Sequence, residues 1–118
     1  DELRNAGELS LFDDQHITPT RAGQAASRIL DLTRHGAPGT YHLACRSCVT
    51  PYEFGQAIRE RMTDSAGRIT TSSMADVDRP ARRPPYTCLD VTTLETELGR
   101  AQPTLEADLE TIATAFHP

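Results

Sequence analysis

The stretch Leu9-Ser10-Leu11-Phe12-Asp13-Asp14-Gln15-His16-Ile17-Thr18-Pro19-Thr20 decides how this chain is read, together with Ala22, Ala25, Ala26, Ile29, Leu30 and Leu32 behind it. Leu9 to Phe12 follow a turn at Gly7 and read as a short strand. The polar run from Asp13 to His16 is a loop, and loops carry function more often than the elements they join. Thr20 can cap a helix whose apolar residues recur near the helical period until Gly36 and Pro38 break the pattern. Its small face, Ala22-Gly23 and Ala25-Ala26, predicts close packing of that helix on a sheet. A strand followed by such a helix makes an α/β chain.

The rest continues the alternation. Gly39-Thr40-Tyr41-His42-Leu43-Ala44 reads as a strand, with His42 as a partly buried strand residue or, in the sharper reading, a catalytic base. Thr50-Pro51-Tyr52-Glu53 is a helix start: Thr50 caps, Pro51 suits the first helical position and Glu53 closes a capping box. Phe54, Ala57, Ile58 and Met62 form the buried stripe of that helix. Residues 68–71 read as a strand and those through Asp78 as a loop. Arg79-Pro80-Ala81-Arg82-Arg83-Pro84-Pro85 is a stiff, basic, extended segment, because its prolines remove amide donors and fix the backbone. Residues 86–89 form a short final strand, Asp90 caps a helix over 91–98, and Gly99 stops it. Thr104 caps the last helix, with the stripe Leu105, Leu109, Ile112 and Phe116. The expected fold is one α/β domain over residues 1–118, a small mixed sheet with about four helices.

Composition bounds what such a domain does. With 118 residues, 37% hydrophobic and 25% charged, the chain has one modest core and no apolar run of membrane-spanning length. The first residues, Asp1 to Asn5, carry neither a basic n-region nor an apolar h-region, and the expected location is cytoplasmic. The net charge of -5 speaks against a nucleic-acid partner, which needs clustered cations, but leaves room for a small anionic ligand. All 12 cations are Arg, a side chain suited to forked binding of phosphate, although coding bias or a high-salt habitat produces the same bias. Three cysteines are an odd number, so no disulfide framework is expected. Cys45-Arg46-Ser47-Cys48 lacks the further ligands of a zinc site and reads as adventitious.

Asp14-Gln15-His16-Ile17-Thr18-Pro19-Thr20 resembles the "DQ-x-x-x-PT" segment of dTDP-4-dehydrorhamnose reductases, extended members of the short-chain dehydrogenase/reductase superfamily. Blocks at 39–43, 50–54 and 83–90, and Leu98-Gly99 with Pro103 beyond, follow in the family's order. The family usually has Asp-Leu-Ala where this chain has Gln24-Ala25-Ala26, and Asn where it has Cys45. The resemblance implies the C-terminal substrate domain of a Rossmann-type reductase that reduces the 4-keto group of a dTDP-linked 6-deoxysugar, on the way to dTDP-rhamnose. It implies NADPH or NADH bound by a separate N-terminal dinucleotide-binding domain, admits magnesium, and makes that Rossmann domain a partner, with a homodimer as a further one. A different nucleotide-sugar reductase or epimerase, and a non-catalytic regulatory protein of the same fold, remain alternatives.

The residues agree that catalysis is not housed here. The seven glycines are dispersed, with no Gly-rich dinucleotide turn. The superfamily's Tyr-x-x-x-Lys proton donor needs a Lys, and the chain has none: four residues after Tyr41, Tyr52 and Tyr86 stand Cys45, Gln56 and Asp90. Those motifs are expected upstream of Asp1. What the chain can do is hold the diphosphate, for which Arg83 is the first candidate, placed by the resemblance where related enzymes put a diphosphate-contacting Arg. Arg79 and Arg82 come second; the plainer reading pairs these cations with Asp76 and Asp78. Gln15 and Thr18 can hydrogen-bond the base or sugar, or else satisfy turn backbone. Asp90 and Glu53 are read as caps before anything else.

Overall fold

Two five-residue strands, β1 (Glu8–Phe12) and β2 (Arg68–Ser72), pair in parallel with Leu9 opposite Ile69 and Leu11 opposite Thr71. Parallel neighbours need a long crossover, and here it contains helices α1 (Ala22–His35) and α2 (Pro51–Met62). A short 3-10 turn (Met74–Asp76) follows β2, and α3 (Thr92–Leu98) and α4 (Leu105–Phe116) close the chain. The computed structural model describes residues 7–62 and 67–116, apart from the side chains of Met62 and Phe116. Asp1 to Asn5 and the stripe positions Met62 and Phe116 therefore lie outside the described side chains.

Helix α2 starts as the sequence dictates, although its stripe residues Phe54, Ala57 and Ile58 are half-buried and not fully buried. Thr50 Oγ1 accepts from the Glu53 amide at 3.1 Å while the Glu53 carboxylate accepts from the Thr50 amide at 2.8 Å, the reciprocal capping box. The helix lies against β1, β2 and α4. Gly55 faces the sheet and is buried, and a Cβ there would run into the Leu11 methyl and meet Ile69 at 3.5 Å. A glycine in mid-helix costs about 1 kcal/mol, and here it lets the helix sit close on the strands. Leu94, Cys45, Ala44, Ile69, Val91, Leu105 and Leu109 form the buried core.

Several expectations need correction. Residues 39–44 are not a strand: they pair with no neighbour among the described residues, and His42 is exposed. Alternation alone had suggested a strand there, but this stretch has no partner and passes over the body as irregular chain. Residues 86–89 likewise contribute only a bridge, His16 with Tyr86, while Ile17 bridges Val49 antiparallel. The sheet among the described residues is therefore two-stranded and parallel, not mixed.

The third correction concerns α1. Its small face does not pack on a sheet: Ala22, Gly23 and Ala26 are exposed, and Ile29 and Leu30 are 56% and 52% exposed. The buried residues are polar instead, Gln24 and Arg28. Both donate to Gln102 Oε1 at 2.9 Å, and Gln102 Nε2 donates to the Ala44 carbonyl at 2.9 Å. Thr20 does not cap this helix either; its hydroxyl donates to the Thr18 carbonyl and accepts from the Cys45 amide, both at 3.0 Å. Asp90 accepts from the Thr92 amide at 2.9 Å and Thr104 from the Ala107 amide at 3.3 Å, so both serve as helix-start acceptors, and Gly99 ends α3 at φ 61°.

The cysteine expectation is corrected too. Cys48 and Cys88 form a disulfide, their Cα atoms 5.6 Å apart and their positions separated by 40 residues, and Cys45 is buried and free. The pair is set by tertiary contact between two distant loops, which the Cys-x-x-Cys spacing does not encode.

Candidate functional site

The loop that leaves β1 carries the site. The Asp13 amide donates to the Ser72 carbonyl at 3.2 Å, extending the strand pairing by one step and delivering Asp14 beside the end of β2. The Asp14 carboxylate accepts from the Ser73 hydroxyl at 2.6 Å and from the Met74 amide at 3.0 Å. The Ser73 hydroxyl hydrogen bond and, after it, the Met74 amide hold the Asp14 carboxyl below its ordinary 3.8. A carboxyl depressed in this way contributes its stabilisation above the unfolded pKa and loses it as pH falls through the lower folded value. The anchor is therefore complete at neutral pH. Ser73 also caps the 3-10 turn reciprocally with Asp76.

From this anchored turn the chain runs out through residues 77–85, every one of them exposed. Arg79 lies over the Phe12 ring, 4.8 Å from its centroid, a cation–π contact that ties the segment to β1. At its far end the segment is pinned to the same loop: the His16 amide donates to the Pro85 carbonyl at 2.8 Å and the Thr87 amide to the His16 carbonyl at 2.9 Å. Between the two attachments lies a cleft of about 700 Å³, lined by Asp14, Met74, Asp78, Arg79, Arg82, Arg83 and Pro85, among others.

The structure thus brings Arg79, Arg82 and Arg83 together around one cleft. Asp76 is turned back to the Ser73 amide at 3.1 Å, and among the described residues none of the three arginines forms an ion pair. Three guanidinia face two carboxylates, Asp14 and Asp78, and Asp14 is already engaged. Gln15 and Thr18 are half-buried on the same loop but do not line the cleft, and the Thr18 carbonyl serves Thr20. Asp14 was missed as a member of the site. Its signal is a carboxylate two residues after a strand, with Ser73 to receive it only once the parallel pairing is known.

Two residues next to the cleft extend the picture: Tyr86, 64% exposed, stands with its ring 5.8 Å from that of His16. Among the described residues Gly99 is the one glycine with positive φ, and it ends α3 instead of opening a strand-to-helix phosphate turn. No group of three or more His, Cys, Asp or Glu among the described residues is placed to hold a metal ion. No helix among them is long and apolar enough to cross a membrane.

Comparison with known proteins bears on the chain as a whole. The family model for the RmlD substrate binding domain matches residues 1–117. A probable low-salt glycan biosynthesis reductase of Haloferax volcanii is 51% identical over 108 residues, 92% of this chain and 36% of that protein. A probable dTDP-4,6-dihydroxy-2-methyloxan-3-one 4-ketoreductase of Streptomyces antibioticus is 32% identical over 84 residues, 70% of this chain and 28% of that one. The chain therefore spans about a third of the curated relatives it matches. A crystal structure of a dTDP-4-dehydrorhamnose reductase from Clostridium acetobutylicum superposes with a TM-score of 0.84 at 26% identity, covering 94% of this chain and 39% of that one. The Bacillus anthracis reductase in complex with NADP shares the fold at a TM-score of 0.86 and 23% identity, covering 97% and 40%. The resemblance carried by the Asp14-to-Thr20 segment holds along the chain, which belongs to the RmlD substrate binding domain family of the dTDP-4-dehydrorhamnose reductases.

Proposed function

We propose that this chain is the nucleotide-sugar recognition domain of a dTDP-4-dehydrorhamnose reductase, which reduces the 4-keto group of dTDP-4-dehydro-6-deoxy-L-mannose with NADPH or NADH. The observation that carries this reading is the set of three arginines around one cleft, on a segment stiffened by Pro80, Pro84 and Pro85 and free of ion pairs among the described residues. Forked guanidinium contacts suit a diphosphate, and a stiff segment loses little entropy on binding it. Arg83 is assigned to the diphosphate, with Arg79 and Arg82 supporting the field, and Gln15 and Thr18 to the base or sugar. Arg79 is partly committed to Phe12, so its share is the smaller.

Hydride transfer and proton donation belong to a Rossmann-type dinucleotide-binding domain outside this chain, since the residues here supply neither a phosphate turn nor a Tyr-x-x-x-Lys pair. This chain's contribution is to bind and orient the sugar nucleotide. A second sugar has a specific observation behind it: the 51% identical relative is named a glycan biosynthesis reductase. On that reading the same diphosphate grip serves a nucleotide sugar destined for glycan assembly.

The test is steady-state kinetics of the full-length protein. Arg83→Ala is expected to weaken nucleotide-sugar binding by about 1 to 3 kcal/mol, the range for a lost charge-assisted contact, with kcat and melting temperature little changed. Unaltered KM and kcat would remove Arg83 from the site. Asp14→Asn, which weakens the anchor of the arginine segment at the edge of the cleft, is expected to raise KM by less than Arg83→Ala.

A further inference from the structure

We infer that Cys48 and Cys88 form a thiol-responsive latch on the arginine segment, a redox modification site whose state sets the affinity of the neighbouring cleft. The inference rests on the reading of that cleft as a nucleotide-sugar site. Three stretches of chain lie side by side at this point. Ile17 exchanges backbone hydrogen bonds with Val49 at 2.9 and 3.0 Å, and His16 bonds to Pro85 and Thr87 on its other side. The site loop is thus the middle member, and the disulfide joins the two outer ones, from the residue before Val49 to the residue after Thr87.

The geometry makes that link important for the arginines. Pro80, Pro84 and Pro85 have no amide to donate, and residues 79–86 are exposed. The segment therefore keeps its course through its ends: the Asp14 anchor and Arg79–Phe12 contact at one, and the His16 bonds with the disulfide at the other. With the disulfide opened, the second end loses its one covalent tie and keeps the His16 backbone hydrogen bonds, the Tyr86 ring against His16, and the Thr87 hydroxyl, which donates to the same His16 carbonyl at 2.9 Å. Arg83, joined to that end through Pro84 and Pro85, then samples more positions, and the cleft loses preorganisation.

Access suits the exchange. Cys48 is exposed and Cys88 half-buried. The third thiol, Cys45, is buried, donates to the Ser47 carbonyl at 3.4 Å, and is pushed up in pKa by burial, so it makes a poor competitor for the disulfide. The co-reactant is a low-molecular-weight thiol. Its thiolate attacks Sγ of Cys48, the Cys48–Cys88 bond breaks, and Cys88 leaves as a thiolate that takes up a proton. A second thiolate attacks the sulfur of the small molecule in the mixed disulfide, releasing Cys48 as a thiolate that is likewise protonated. Two electrons pass from two small thiols, which end as one small disulfide, to the protein pair.

The experiment uses the full-length reductase in oxidised and dithiothreitol-reduced forms. A non-reducing peptide map is expected to show the Cys48–Cys88 link in the oxidised form. KM for the dTDP-sugar is expected to rise about three- to tenfold on reduction, with kcat within about twofold, as loss of preorganisation predicts. Cys48→Ser is expected to show the reduced-form KM with or without dithiothreitol, which separates the latch from other effects of reductant; Cys88→Ser repeats the control should the first variant fold poorly. Absence of the linked peptide after mild oxidation, or equal KM in the two forms while Arg83→Ala still raises it, overturns the latch and leaves the site reading standing. Loss of the Arg83→Ala effect strikes the site reading itself.

Discussion

Helices α1 and α2 belong to the same crossover, yet they are held by opposite means. Helix α2 sets its buried Gly55 against Leu11 and Ile69 of the sheet, starts with a complete capping box, and contacts both strands. Helix α1 turns its apolar Ile29 and Leu30 outward and inserts Gln24 and Arg28 toward Gln102. One helix is stabilised by water leaving apolar surface, the other by buried hydrogen bonds that are modest in net worth but expensive to break. An exposed apolar edge beside a buried, hydrogen-bonded polar one teaches that periodicity locates a helix without saying which of its faces is covered.

The contrast can be broken at its weakest member first. Gln102→Leu leaves the Gln24 amide and the Arg28 guanidinium without their shared acceptor in a buried setting. A loss of about 3 kcal/mol is expected, since two buried donors and the Ala44 carbonyl lose their partner at once, while Arg28 keeps its 3.1 Å ion pair with Asp31. Equilibrium urea unfolding would show it as a lower midpoint at unchanged slope; a shift under 1 kcal/mol would mean that water replaces Gln102 easily. Gly55→Val tests the other helix. Added carbons press on the ends of Leu11 and Ile69, and overpacking of about 2 kcal/mol is expected, reduced slightly by better helix propensity. A neutral result would show that the Leu11 side chain swings aside without cost.

Smaller effects sharpen the comparison. Thr50→Ala removes the acceptor for the Glu53 amide and is expected to cost about 1 kcal/mol, the usual value for a lost cap. Its α1 counterpart, Arg21, makes no side-chain cap bond, so the Arg21 position should be insensitive on that account and respond instead through its 2.9 Å ion pair with Asp108. Ile29→Ala is expected to stay within about 0.5 kcal/mol of the parent, as for an exposed position without special contacts. A larger loss in the full-length protein than in this chain would identify that edge as a surface covered by the remainder of the protein.

The sequence was legible where chemistry is local. Thr50 with Glu53, Thr104 with Ala107 and Gly99 at the end of α3 all involve neighbours in the chain, and each was found where the residue types demanded it. The arginine cleft was half legible. Arg79, Arg82 and Arg83 announced themselves by composition and by the prolines between them, but Asp14 became part of the site only through Ser73, which the strand pairing brings to it from 59 positions away. The failures share a cause. Tyr41 to Ala44 alternate like a strand but find no partner, Gln24 and Arg28 are buried because Gln102 arrives to receive them, and Cys88 reaches Cys48 across 40 residues. Each depends on a distant segment that no local pattern names.

The prolines of the arginine segment also bear on how the protein meets a protease. An exposed, extended run with three arginines is a natural target for trypsin, but Arg79 and Arg83 each precede a proline, a bond that trypsin leaves alone. The Arg82–Arg83 bond is the one in this run open to attack, and it lies inside the ring that Cys48 and Cys88 close. A single nick there would leave two polypeptides travelling as one until reductant is added, so that limited digestion, run with and without reducing agent, reports on the fold's only covalent crosslink among the described residues.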